Sequence, residues 1–166
     1  MSERPPEYFE QFLDYKFSVQ KYRIKGKKLS AFAAAIGDKN PKYYVPDPED
    51  PNEKADYSGI VAHPAYAACY TIPKLLEALP DIKGSDGEPM LRNIGKLLHA
   101  AQEYDFSGCV PLTPATKKVY SDSKFTKFWI KSDILWGEAR VITTNEEKTE
   151  TYCKTTIRVG IRKGGY

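Results

Sequence analysis

Bulky and polar residues alternate over positions 16–22, with Phe17, Val19 and Lys21 in step, and a period of two predicts a strand that Gly26 closes. The interval then lengthens. Leu29, Phe32, Ala33 and Ile36 recur at helical spacing in an Ala-rich run, so residues 29–36 are expected to form a helix, with Ser30 near its start and Gly37 placed to stop it. Between 40 and 56, Pro41, Pro46, Pro48 and Pro51 alternate with acidic residues, which suits an irregular excursion, and a long loop of this kind in a compact domain is commonly functional. The most apolar stretch follows, and residues 65–79 read as a buried helix with Pro64 in its first turn and Pro73 kinking or dividing it. Past a Gly- and Asp-containing loop at 81–89, strand patterns occupy 96–106, 117–130, 134–144 and 149–161, the last two joined by a turn at Asn145-Glu146-Glu147-Lys148. One strand, helices and then four long strands predict an α+β architecture. An antiparallel β-sheet of about five strands wraps a long central α-helix, because one apolar helix covers the inner face that the alternating strands create.

Composition narrows this without changing it. At 166 residues, a single domain over 1–166 is expected, with chain enough for a sizeable core. The balance of 25 Lys+Arg against 22 Asp+Glu, spread along the chain, argues against nucleic acid as a partner. Basic residues gather locally at Lys25, Lys27 and Lys28 and at Lys117 and Lys118; these are either solvated turns or contacts for a phosphate-bearing ligand. The opening residues, a polar, Pro-containing lead, lack the pattern of a secretory signal, and no apolar run reaches the ~20 residues of a membrane span. Cys69, Cys109 and Cys153 stand apart without a C-x-x-C pair, which opposes a disulfide framework and favours a reducing, cytoplasmic setting. With two histidines and no ligand spacing, neither a metal nor a cofactor is expected.

Four segments carry a resemblance. Phe32-Ala33-Ala34-Ala35-Ile36-Gly37-Asp38-Lys39-Asn40-Pro41, followed by Ser58-Gly59-Ile60-Val61-Ala62-His63-Pro64, is similar to the two signature stretches of the MaoC-like dehydratase superfamily. Leu97-Leu98-His99-Ala100-Ala101-Gln102-Glu103-Tyr104-Asp105-Phe106 and Pro111-Leu112-Thr113-Pro114 resemble a strand and a turn of its FAS1-like, N-terminal-type dehydratase domains. The resemblance implies a hot-dog fold. It also implies an aspartate and a histidine that share one water, adding it to or removing it from the C2–C3 bond of an acyl thioester.

Asp38 matches the family's aspartate, but Tyr43 stands where the histidine belongs, and a phenol with a pKa near 10 is a poor general base beside an imidazole near 6.5. Pro64 replaces the glycine whose backbone N–H would polarise the thioester carbonyl at a helix N-terminus. A third departure, Ala115-Thr116 for Gly-Asp, affects only a turn. The resemblance therefore implies the half of a (R)-3-hydroxyacyl-thioester dehydratase or enoyl-thioester hydratase that binds the acyl group, its thioester carried by coenzyme A or an acyl carrier protein. The intact Asp/His pair is then expected on a partner chain, in a homodimer or a heterodimer with a catalytic MaoC-like subunit.

Asp38 and His99 are the catalytic candidates, His99 as a relocated base against the plainer reading of a structural histidine. Tyr43, Tyr44, His63, Pro64 and Tyr66 form the candidate substrate-binding set, with His63 more readily a structural residue that caps the helix that follows or bonds to the loop. Three alternatives stay open: a self-sufficient hydratase using Asp38 and His99, a hot-dog acyl-CoA thioesterase, and a non-enzymatic acyl-CoA binder.

Overall fold

The computed structural model describes residues 4–50 and 52–166; Pro51 of the proline-rich loop and the first three residues of the lead lie outside the described residues. Five strands, β1 (Gln20–Arg23), β2 (Leu97–Asp105), β3 (Lys118–Lys131), β4 (Ile134–Thr144) and β5 (Thr151–Arg162), form one antiparallel sheet in the order β1-β3-β4-β5-β2. Helix α1 (Gly26–Ala35) follows β1. The apolar stretch laid against the sheet is a 3-10 turn at Pro64–Ala67, α2 (Ala68–Thr71), α3 (Pro73–Ala78) and a second 3-10 turn at Leu79–Asp81. This is the hot-dog arrangement, with its central helix divided at Pro73: a proline has no N–H for the carbonyl four residues back, and its ring crowds that turn.

The alternation that the sequence carries becomes the two faces of the sheet. Along β4, Leu135, Gly137, Ala139, Val141 and Thr143 are buried while Arg140 and Ile142 are exposed. Ser132 and Asp133, both at positive φ (54° and 56°), make the two-residue β3–β4 hairpin, whose twist requires that backbone. In the β4–β5 turn Asn145 Oδ1 accepts from Thr149 N (2.9 Å) and Glu150 N (3.0 Å).

The break in the central helix also divides the core. Pro64–Thr71 packs Tyr66, Ala67 and Tyr70 against Ile24, Leu29, Val119 and Tyr152, whereas Leu75 and Leu79 pack with Phe125, Leu135, Ile157 and Ile161. At the break, Ser121 Oγ of β3 donates to the Tyr70 carbonyl (2.9 Å) and meets Thr143 Oγ1 of β4 (2.8 Å), both hydroxyls being buried.

Two expectations shift. The polar lead contains a 3-10 turn at Pro6–Phe12 that seats Phe9 and Phe12 in the core, their rings meeting Phe128 at 5.9 and 6.5 Å. Of residues 16–22, only the part from Gln20 joins the sheet: Val19 is exposed and Phe17 turns onto Phe125, so its alternation reflects tertiary packing.

Candidate functional site

Helix α1 ends where Gly37 takes a positive φ of 81° and Asp38 N donates to the Ala33 carbonyl at 2.9 Å, which aims Asp38 out of the helix. Two Asx turns follow: Asp38 Oδ1 accepts from Asn40 N (2.9 Å) and Asn40 Oδ1 from Lys42 N (3.0 Å). The loop is then clamped to α1, because the Ser30 hydroxyl donates to the Val45 carbonyl (2.9 Å) and accepts from Val45 N (3.0 Å). Ser30 thus holds the loop and does not cap its own helix, whose N-cap is Lys25. Val61 N to the Lys42 carbonyl (2.9 Å) brings the second motif against the first, and Ala62 N to the Leu112 carbonyl (2.8 Å) ties it to the segment 111–114.

The result is an Asp–His pair. His63 Nε2 lies 3.5 Å from Asp38 Oδ2, both side chains being partly exposed. His63 Nδ1 accepts from Ala65 N at 3.1 Å and so caps the 3-10 turn that opens the central helix. An imidazole nitrogen that accepts carries no proton, so the ring proton sits on Nε2 and faces the carboxylate. The ring's one lone pair is thereby committed to the backbone, and the open acceptor capacity of the pair belongs to Asp38. Tyr43 lies edge-on to His63, with centroids 5.0 Å apart, and Lys42 Nζ stands 5.6 Å from the Tyr43 centroid.

A cleft of about 210 Å³ opens beside this pair. Lys42, Tyr43, His63 and Pro64 line it together with Tyr70, Cys109, Leu112 and Tyr152. Burial drives the Tyr70 phenol well above its ordinary pKa; Tyr152 is pushed up to about 12 by burial and then by its hydrogen bond to Glu150 (2.7 Å). Burial also raises the Cys109 thiol, so both phenols and this thiol are neutral, with the Tyr152 proton already given to Glu150 in their hydrogen bond.

Of the sequence candidates, Asp38, Tyr43, His63 and Pro64 gather here. Tyr44 is half-buried, its N–H bonded to the Asn40 carbonyl (3.0 Å). Tyr66 is buried, and its hydroxyl meets that of Tyr22 at 3.0 Å. His99 is exposed on the edge strand β2, opposite Val159, and is not among the residues that line the cleft. Tyr70 and Tyr152 escape sequence reasoning because each sits inside a helix or strand pattern that packing alone explains, and Cys109 because it stands alone in the loop after β2. Among the described residues no cluster of three or more His, Cys, Asp or Glu could hold a metal ion, and no helix is long and apolar enough to cross a membrane.

Fold and cleft together define a hot-dog domain of the MaoC-like dehydratase type. The chain belongs to the FAS1-like, dehydratase domain region family, whose model matches residues 11–151. Solved structures agree on the fold. A MaoC-like dehydratase from Phytophthora capsici superposes with a TM-score of 0.64 at 16% identity over 95% of this chain and 51% of that one, so the chain spans about half of its length. The R-hydratase PhaJ1 from Pseudomonas aeruginosa gives a TM-score of 0.58 at 13% identity, covering 96% of this chain and 87% of that one. The HadBC complex from Mycobacterium tuberculosis, a 3R-hydroxyacyl-ACP dehydratase, gives 0.61 at 12% identity, covering 90% and 98%. No curated protein sequence matches the chain.

Proposed function

We propose that this chain is the acyl-thioester-binding half of a (R)-3-hydroxyacyl-thioester dehydratase or enoyl-thioester hydratase, one hot-dog domain that pairs with a chain carrying an intact Asp/His pair. One observation carries the reading: His63, the histidine of the cleft, has Nδ1 committed to the Ala65 N–H, so it cannot take a proton without releasing the helix cap. Pro64 points the same way, having no N–H for a developing oxyanion. What remains suits binding. The apolar wall offers burial to an acyl group, and the neutral Tyr70 and Tyr152 add polar tips. At about 210 Å³ the cleft is smaller than sites for drug-sized ligands, roughly 300–1,000 Å³, which suits the thioester end of a substrate whose carrier lies outside. A second copy of this chain would bring the same Tyr43 and Pro64, so the reading calls for a different, catalytic subunit. The HadBC dehydratase is a complex, and that is the precedent for a separate partner.

A second reading has one observation in its favour. Asp38 is held by Asn40 N–H and faced by His63 Nε2, so a self-sufficient hydratase could use the carboxylate itself as base. The two separate in a hydration assay of purified chain with crotonyl-CoA, run beside Asp38→Asn, His63→Ala and His99→Ala. The binding-half reading expects no turnover from the chain alone and retained crotonyl-CoA binding. Robust turnover that any of these substitutions abolishes would overturn it.

A further inference from the structure

The edge strand β1 and the start of β3 carry a row of exposed cations. In extended chain, alternate residues share a face: Tyr22 and Ile24 turn into the core, so Lys21, Arg23 and Lys25 form an exposed stripe on the other side. Lys25 continues the stripe because its backbone is extended (φ −135°, ψ 129°). Pairing of β1 with β3 sets Lys118 directly opposite Arg23, and Ile24 N donates to the Lys117 carbonyl at 2.8 Å. The two basic clusters of the sequence thus become one surface.

That arrangement works against stability. Like charges facing each other across an antiparallel pair repel, and Lys27 and Lys28 occupy the first turn of α1, where the helix dipole disfavours cations. Lys117 holds a positive φ of 59°, a strained backbone for a residue with a Cβ. Lys21 is stacked over the Tyr120 ring at 5.2 Å. Among the described residues, no ion pair neutralises Arg23, Lys25, Lys27, Lys28 or Lys118.

One short turn links the cleft to the stripe. Leu112 lines the cleft and its carbonyl holds Ala62; the 3-10 turn Pro114–Thr116 then leads straight into Lys117 and Lys118, and that turn contacts the cleft wall where Thr116 meets Tyr152. Gly26 packs in the same corner, against Tyr57 and Pro114.

We propose that this stripe, centred on Arg23 and Lys118, binds the phosphate groups of the pantetheine arm that carries the thioester. The proposal rests on the acyl-thioester reading of the cleft and adds where the carrier lies. Two sources share this chemistry: coenzyme A, with a 3′-phosphate and a diphosphate, and a carrier protein, with one phosphodiester.

Calorimetric titration of the full chain with crotonyl-CoA, crotonyl-pantetheine, crotonyl-carrier protein and free coenzyme A tests it, with wild type beside Arg23→Ala/Lys118→Ala and a Lys124→Ala control. The double variant relieves repulsion, so an unchanged or higher melting temperature verifies its fold. It is expected to bind the preferred phosphate-bearing thioester about tenfold more weakly, the scale of two exposed ion pairs, with crotonyl-pantetheine and the control unchanged. The preference should shrink with added salt. Larger losses for crotonyl-CoA than for crotonyl-carrier protein identify coenzyme A as the source, and the reverse identifies the carrier. If crotonyl-pantetheine fails to bind wild type, the cleft reading falls; free coenzyme A then decides the stripe, which stands if the double variant loses that binding. Phosphate-bearing probes that bind both proteins within twofold, or bind neither, overturn the proposal.

Discussion

Ser121→Ala isolates the contact that seats the broken central helix on the sheet. A serine hydroxyl has one proton, and Ser121 commits it to the Tyr70 carbonyl at 2.9 Å. In the 2.8 Å contact with Thr143, the proton must therefore come from Thr143. Both residues are buried, at 1% and 0% exposure, so water cannot replace either partner. Ser121→Ala deprives the Tyr70 carbonyl of this donor and leaves the Thr143 hydroxyl without its acceptor, a loss of about 2 kcal/mol. Thr143→Val removes only a donor, leaving a lone pair on Ser121 unfilled while the bond to Tyr70 persists, so about 0.5–1 kcal/mol is expected. In the double variant no hydroxyl is stranded, and its cost should fall below the sum of the two singles. Urea unfolding followed by circular dichroism reads all three, and in a chain of this size about 2 kcal/mol lowers the melting temperature by roughly 4–8 °C. A Ser121→Ala protein within about 0.5 kcal/mol of wild type, or a Thr143→Val protein as damaged as Ser121→Ala, would refute the proton assignment and the anchoring role together.

Two further outcomes follow from the same packing. Gly26→Ala sets helix propensity, which favours alanine by about 1 kcal/mol, against a Cβ that would fall 2.4 Å from Tyr57 Cβ and 3.3 Å from Pro114. Overpacking of about 1–3 kcal/mol should win; a melting temperature at or above wild type would show that the Tyr57 loop yields. Tyr104 and Tyr152 are both pushed up to about 12, Tyr104 by burial and Tyr152 by burial and then Glu150, whereas the unfolded value is about 10. A raised folded pKa means that the folded state retains protons the unfolded state has lost, so this stability is complete below pH 10 and disappears as pH rises through 12. Absorbance at 295 nm during alkaline titration should show a late phenolate step that coincides with unfolding, and full ionisation near pH 10 with the fold intact would contradict it.

The strands were legible because their alternation is local: β4 occupies the residues its pattern predicts, and β2, β3 and β5 lie within two residues of theirs. Pro73 was legible as a break for the same reason, since a missing N–H acts on its own turn. Phe9 and Phe12 were not, because nothing near them in the chain reveals that Phe125 and Phe128 would cover them. The site divides along the same line. Asp38, Tyr43, His63 and Pro64 are all visible in the motifs, but their spacing cannot show that His63 turns Nε2 to Asp38 while Nδ1 caps a helix. That single rotamer settles which atom of the pair keeps a free lone pair. It depends on three separate hydrogen bonds: Val45 N to Ser30 ties the loop to α1, Val61 N to the Lys42 carbonyl joins that loop to the approach to the central helix, and Ala62 N to the Leu112 carbonyl anchors that approach. The basic stripe shows the converse. Lys25 and Lys117 are legible as two isolated clusters, and only the antiparallel register that sets Arg23 against Lys118 makes one surface of them. A local pattern thus identifies which groups are available, and long-range pairing decides which of them can act together.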